Sequence, residues 1–373
     1  MFHRFLCSYR PPWESVVLGL IGMCLPLPAQ STGLSAAGVK AITESPVRAA
    51  MAAQSVPGMS GAIAVKGQVL YEAGYGFADL ENDVPATAKT VYRLASISKP
   101  VTAVLLMQIA ERGDLDLDAA VHSIVPEWPV KRWPVTSRQL LGHLGGVRHY
   151  LLEGESTRRY RDQLDGLARF AKDPLLHEPG TKFLYSTYGY NLLAAVVETH
   201  YEASFGRVLQ ERLAKPCRAP SLQADDQRRL IKHRAQGYRM WGGKLGNSEL
   251  MDSSYKLGGG GLCSSAPDLA RFGAALLAGR LVTKETLAEM WSVQHTTAGK
   301  GTGYGLGFGV VVRDGQQLVG HSGAQSRVST MLSMLPADEI VVVLMSNLEG
   351  AKLRPVARGI ALSVREQMRG RKQ

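Results

Sequence analysis

"YRLASISKPVTAVLLMQ", residues 92–108, sets a serine three positions before a lysine at the mouth of a strongly apolar run. Val101, Val104, Leu105 and Ile109 recur at helical spacing and Gly113 follows as a stop, which predicts a helix over 96–112. On such a helix Ser96 and Lys99 share one face, a turn apart. A helix start offers free N–H groups and partial positive charge, which favour an alkoxide. A desolvated lysine close by can lose its proton and take one from the serine. Alone, the pair is as easily a helix cap and a solvated lysine. Chance supplies about one Ser-x-x-Lys in a chain this long. A second, Ser253 to Lys256, stands just before "GGGG" at 258–261. The motif therefore needs partners elsewhere in the chain.

Strand patterns flank this helix at both ends of the sequence. Residues 60–80 alternate and turn at Lys66-Gly67, a β-hairpin. From Tyr304 the runs "YGLGFGVVVRDG", "QQLVGHSG", "RVSTMLSMLPAD" and "EIVVVLMSN" form an antiparallel meander, and "LRPVARGIALSVREQM" closes the chain as a helix. Between them, about 114–256 is mainly helical and loopy, with helices near 161–171, 188–201 and 204–214. Ser265 to Asp268 reads as a capping box opening a helix to about Ala278. The economical arrangement is α+β: one antiparallel sheet built from both termini and flanked by helices, with a helical lobe inserted. The expected boundaries are a leader over 1–29, a lead-in over 30–56 and one domain over 57–370.

The leader is read from Arg4 and Arg10, the short apolar run over 16–29 broken by Pro26 and Pro28, and the small Ala29. It predicts export to the periplasm or beyond, with an uncleaved N-terminal anchor as the alternative; the run is too short for a good membrane span. Of the four cysteines, Cys7 and Cys24 lie in this leader. Cys217 and Cys263 are left, either as a disulfide or as two buried thiols. The 373 residues carry a net charge of +11, 45% hydrophobic and 20% charged residues, ordinary for a globular protein apart from the basic balance. The basic runs at 158–161 and 228–234 are short and lack any nucleic-acid-binding signature, so no nucleic acid partner is expected. Nine scattered histidines without H-E-x-x-H, and no C-x-x-C, predict no metal.

Two partners for Ser96 and Lys99 stand downstream. "PGTKFLYSTYGYNLLAAVVE", residues 179–198, sets Tyr185 just before a helix with Thr187 two positions on; "LVGHSGAQ", residues 318–325, sets His321, Ser322 and Gly323 at a strand end. Ser-x-x-Lys, then Tyr-x-(polar), then (basic or polar)-x-Gly resembles the order S-x-x-K, [YS]-x-N, [KHW]-[TS]-G of the serine β-lactamase and penicillin-binding-protein superfamily. "LLGHLGGVRHY", "GGGLCSSAPDLARF", "YGLGFGV" and "LMSN" extend the likeness over about 57–350. Their wording is similar to the class C β-lactamase, D,D-peptidase and family VIII esterase branch, and to serine β-lactamase-like proteins of bacteria and mitochondria.

The resemblance implies the β-lactamase/transpeptidase-like fold and a serine hydrolase without a cofactor. Ser96 would be the acylated nucleophile, Lys99 and Tyr185 would share acid and base work, and the Ser96 and Ala324 N–H groups would form the oxyanion hole. Thr187, His321, Ser322 and Gly323 would bind substrate, with Gly323 giving close approach to the strand edge. The substrate would be a peptide, ester or β-lactam. Thr187 stands where the family often has Asn, which favours a peptidase or esterase over a true β-lactamase; the alternative is a class C-like β-lactamase or D,D-carboxypeptidase. From another class, the rival is an inactive homologue that binds peptide or cell wall or acts as a scaffold. Ser-Asp-Asn, Lys-Thr-Gly and Gly-x-Ser-x-Gly are all missing, against a class A lactamase and an α/β-hydrolase. His143 also heads an H-x-G but precedes the tyrosine motif and is expected to be structural.

Overall fold

The computed structural model describes residues 34–150, 157–313 and 315–370; the expected leader, and Asp314 of the expected Asp314-Gly315 turn, lie outside them. The strands are β1 (Gly58–Val65), β2 (Gln68–Asp79), β3 (Val84–Pro85), β4 (Val91–Arg93), β5 (Gln223–Ala224), β6 (Tyr238–Trp241), β7 (Lys244–Asn247), β8 (Leu262–Ser265), β9 (Gly309–Arg313), β10 (Gln316–Gln325), β11 (Val328–Leu335) and β12 (Ile340–Ser346). The helices are α1 (Ala36–Gln54), α2 (Ser98–Glu111), α3 (Ser137–Leu141), α4 (Gln163–Gly166), α5 (Thr187–Tyr201), α6 (Phe205–Leu209), α7 (Leu257–Gly260), α8 (Ala266–Leu277), α9 (Lys284–Met290) and α10 (Arg354–Gly370).

Seven strands make one antiparallel sheet in the order β3-β2-β1-β12-β11-β10-β9. Its centre joins the two ends of the chain, with Met59 opposite Ser346 and Val65 opposite Ile340. Period-two alternation explains why these strands are apolar throughout. Met59, Ile63, Val342 and Leu344 belong to one buried cluster with Val47 of α1 and Ile360 and Val364 of α10. Ala62, Ala64, Val341, Val343 and Met345 belong to the other, with α2, α5 and α8. Both faces are thus covered, and the α+β arrangement read from the pattern is the one observed.

Several local expectations change. The capping box at Ser265 is absent. Ser265 does precede α8, but its side chain makes no capping bond. Its hydroxyl accepts from Ser221 Oγ, and Asp268 accepts from the Ser221 N–H at 2.7 Å. The helix expected over 161–171 is only α4 plus a 3-10 turn, Leu167–Arg169. Tyr238–Asn247 folds as the hairpin β6–β7 across Gly242 and Gly243, both at positive φ, inside the region read as helical. Cys217 and Cys263 are buried free thiols, not a disulfide. Cys217 follows the π-helical segment Gln210–Ala214, whereas Cys263 is on β8, so each belongs to different packing. Burial pushes the Cys217 thiol up to about 12 and Cys263 higher still.

Candidate active site

Ser96 does not lie on the predicted helix. The chain leaves β4, passes Ala95 at φ +48, and makes a 3-10 turn over Ala95–Ile97 before α2 starts at Ser98. A left-handed alanine costs on the order of 1 kcal/mol and persists only where its surroundings impose it. Here the Leu94 N–H donates to the Leu262 carbonyl at 2.7 Å, and the Leu94 carbonyl accepts from Thr330 Oγ1 at 2.9 Å. Strands from the small and large sheets therefore grip Leu94, two residues ahead of the serine. Pro100 falls in the first turn of α2, where a missing N–H is harmless.

Lys99, inside that first turn, is fully buried. Its Nζ donates to Ser96 Oγ at 3.2 Å, Thr187 Oγ1 at 3.2 Å and the Gly259 carbonyl at 2.7 Å. Burial, and then the nearby Lys256, hold its ammonium well below the usual lysine range. Gly259 reaches it because α7 presses on α5: a Cβ at Gly259 would stand 2.6 Å from Thr187 Cγ2, and one at Gly258 2.6 Å from the Tyr190 carbonyl. The four glycines, read as a break in the pattern, are thus mostly a single helical turn, α7, that brings a carbonyl onto the lysine.

Tyr185 precedes α5 and lines the same cavity as Ser96. Burial holds the phenol above its ordinary range, with the nearby Ser96 side chain acting against it. Thr187 opens α5, is buried and is spent on Lys99; it is not among the residues lining the cavity. The cavity, about 660 Å³, is lined by Ser96, Tyr185, His321, Ser322 and Ala324, among others. Gly323 does not line it. A Cβ there would sit 2.2 Å from the Leu94 carbonyl and 2.2 Å from Thr330 Oγ1, so the glycine is needed to admit the segment that leads from β4 into the Ser96 turn.

Three histidines surround the lysine, and their hydrogen bonds fix the neutral tautomers. His321 Nδ1–H donates to the Ser322 carbonyl at 2.6 Å. His149 Nδ1 accepts from the Thr187 N–H at 3.0 Å, and His143 Nδ1 accepts from the Ser186 N–H at 3.1 Å. The neutral His149 ring thus carries its proton on Nε2. Burial, reinforced by Lys99, lowers His321 to about 3 and His149 to about 4. The His143 ring is tilted against those of Tyr185, 4.3 Å away, and Tyr304, 4.7 Å away, and does not itself line the cavity, as a structural residue would not.

His149 and Tyr150 in "HLGGVRHY", Phe183, Tyr304, Arg354 and Arg358 also line the cavity, though the sequence motifs singled out none of them. Arg354 Nη2 donates to Ser322 Oγ at 3.2 Å. The second Ser-x-x-Lys resolves differently from the first. Ser253 Oγ donates to the Asp225 carbonyl at 3.4 Å, while Lys256 is buried over the Tyr150 ring at 4.8 Å. That serine has no share in the site, but its lysine stands behind the cavity wall.

The Beta-lactamase family model matches residues 44–365, most of the chain and every residue of this constellation. The chain belongs to the beta-lactamase family. Among its relatives, the mitochondrial serine beta-lactamase-like protein LACTB of Homo sapiens is 28% identical over 416 residues, covering 82% of this chain and 76% of that one. The octameric penicillin-binding protein homologue from Pyrococcus abyssi superposes with a TM-score of 0.76 at 26% identity, over 88% of this chain and 77% of its own. EstCE1, described as a hydrolase with promiscuous acyltransferase activity, shares the fold with a TM-score of 0.76 at 22% identity, over 88% of this chain and 99% of its own. The β-lactamase/transpeptidase-like fold expected from the three motifs is the fold of this beta-lactamase family member.

Proposed function

We propose that this protein is an exported serine hydrolase that cleaves an ester or amide bond of a small substrate through an acyl-enzyme on Ser96. The observation that carries this is the fully buried Lys99, with its Nζ 3.2 Å from Ser96 Oγ. A lysine held below its usual range by burial gives up its proton more readily than a solvated one, and the free amine can then accept the proton of Ser96. Tyr185 is shifted the opposite way and keeps its proton. This splits the labour: Lys99 takes the Ser96 proton as the oxygen attacks the carbonyl carbon, and the Tyr185 hydroxyl carries a proton onward to the departing alcohol or amine. Water then attacks the acyl carbon, the same groups run in reverse, and Ser96 is restored.

The Ser96 and Ala324 N–H groups would receive the oxyanion; each such donor is worth about 3 kcal/mol of transition-state stabilisation. His149 Nε2–H, His321 and Ser322 would orient the acyl portion. Thr187 holds the lysine at a position where the longer amide of Asn would reach substrate, which supports a peptidase or esterase above a β-lactamase. The basic start and short apolar run of residues 1–29 support export.

Purified protein and its Ser96→Ala variant, incubated with a fluorescent penicillin, a fluorophosphonate and p-nitrophenyl esters, test this. Wild type should take covalent label and turn over ester, and Ser96→Ala should do neither. Ser253→Ala should label like wild type. A wild type that takes no label from any probe, or a Ser96→Ala that labels equally, overturns the proposal. Label that persists with penicillin but clears with esters separates an esterase or peptidase from a lactamase.

A further inference from the structure

A second, much smaller cavity lies beside the strand that leads into Ser96. It measures about 40 Å³ and is lined by Arg93, Asp225, Arg234, Arg327, Tyr92 and Cys263, with Gln227 at its side. Its charges do not balance: three guanidiniums meet one carboxylate. Asp225, 2% exposed at its side chain, is shared, with Oδ2 2.7 Å from Arg93 Nε and Oδ1 3.2 Å from Arg234 Nη2. The contact to Arg93 is an ion pair in distance only; no N–H is aligned on Asp225 Oδ2. Arg93, 9% exposed at its side chain, donates from Nη2 to the Met251 carbonyl at 2.8 Å, and its Nη1 has no acceptor. Arg327 turns its guanidinium to the neutral amide of Gln236.

The third arginine is held there deliberately by the backbone. Arg327 has φ +80, and its N–H donates to Glu349 Oε1 at 2.9 Å. Gly237 makes room, since a Cβ there would lie 2.1 Å from Arg327 Cβ. A non-glycine residue at positive φ is costly and needs a reason. Burial and then the Arg93 charge both act against the Arg327 cation. A water molecule could satisfy Arg93 Nη1 but would leave the excess positive charge in place. The Arg93 side chain is buried beside Asp225, while Arg327 is half-buried and Arg234 is 32% exposed at its side chain; excess positive charge in such a partly desolvated place is costly, and an anion relieves it. The space suits a monatomic ion and is too small for a nucleotide or an acyl chain.

We propose that this cavity binds a small inorganic monoanion of the halide class, held by Arg93, Arg234 and Arg327. Arg93 is three residues ahead of Ser96, and Arg327 three residues beyond Ala324. The anion therefore clamps the two chain segments that bear the candidate oxyanion donors. The site does not depend on what the larger cavity hydrolyses.

Thermal unfolding of the whole purified protein tests it, with chloride replacing gluconate at constant ionic strength. Wild type should show a saturable rise in Tm with chloride, because a ligand bound only by the folded state stabilises it by mass action. In Arg327→Gln the half-saturating concentration should rise by about tenfold or more. A crystal of the wild type soaked in bromide, which needs no variant to fold, should give an anomalous peak among the three arginines. No chloride-specific rise in the wild type, an undiminished rise in Arg327→Gln, or bromide missing from this cavity overturns the proposal.

Discussion

At the scale of single residues, the site is an exercise in removing charge. Lys99 is buried with only neutral oxygens around it, so its protonated form is penalised. Replacing it by methionine should lower ester kcat/KM by about 10²–10⁴-fold, the usual share of a general base. The wild-type rate should fall as pH drops through the lowered lysine range. Stability gives an independent reading of the same group. Between its lowered folded pKa and the unfolded value of about 10.4, the unfolded chain holds the extra proton, so wild-type stability rises with pH across that window. Lys99→Met should therefore be the more stable protein near pH 7, with the gap closing above pH ~10. Equal activity in the variant, or a gap that widens with pH, would contradict the assignment.

His149 makes a second case. It is lowered to about 4 from 6.5, so the unfolded state again binds the extra proton, and stability conferred at neutral pH is lost as pH falls from about 6.5 to 4. For a half-buried ring this is worth on the order of 1–2 kcal/mol after screening. His149→Gln should flatten part of that slope in urea melts between pH 7 and 4.5; a slope identical to wild type argues against it.

At the scale of elements, close backbone approach does what side chains alone could not. α7 lies against α2 and α5 because Gly258, Gly259 and Gly260 lack Cβ atoms, and the Gly259 carbonyl thereby reaches Lys99. Gly259→Ala would drive a methyl into Thr187 and Asn191, and should cost about 1–3 kcal/mol of stability as overpacking. It should also reduce activity beyond that loss, because moving α7 frees the lysine; a variant with wild-type Tm and rate would show the approach is unimportant. Elements with strong periodicity were legible beforehand, among them the 60–80 hairpin, the late meander, α5 and α10. Those decided by tertiary competition were not. Ser265 and Asp268 carry the letters of a capping box, but Ser221 takes both side chains. The Gly242-Gly243 turn of β6–β7 was a legible hairpin signal masked by helical surroundings. The Ser96 turn is a 3-10 turn because Leu94 is tied to Leu262 and Thr330, contacts far away in sequence.

At the scale of the whole molecule, the sheet that joins the chain's two ends also delivers the far wall of the cavity. α10 is the next element after β12 and packs on β11 and β12, which brings Arg354 and Arg358 into the lining of the cavity that also holds Tyr185 and His149. Nothing local in "LRPVARGIALSVREQM" marks those two arginines, whose positions follow only from closing the sheet. By contrast, Ser96, Lys99, Tyr185 and His321 announced themselves as motifs because each lies at the end or edge of a regular element. The open cavity mixes Val311, Leu318 and Met331 with these two cations, and that combination favours an apolar acyl or leaving group ending in an anion. Arg358→Gln should raise KM for a carboxylate-bearing ester several-fold, up to about tenfold for an exposed charge contact worth 1.4 kcal/mol. kcat should stay unchanged, as should both constants for the matching neutral ester, because the arginine touches neither Ser96 nor Lys99. Arg354→Gln should do the same and also free Ser322, so its neutral-ester KM should shift as well. If both variants treat charged and neutral esters alike, the C-terminal helix lines the cavity without reading what enters it.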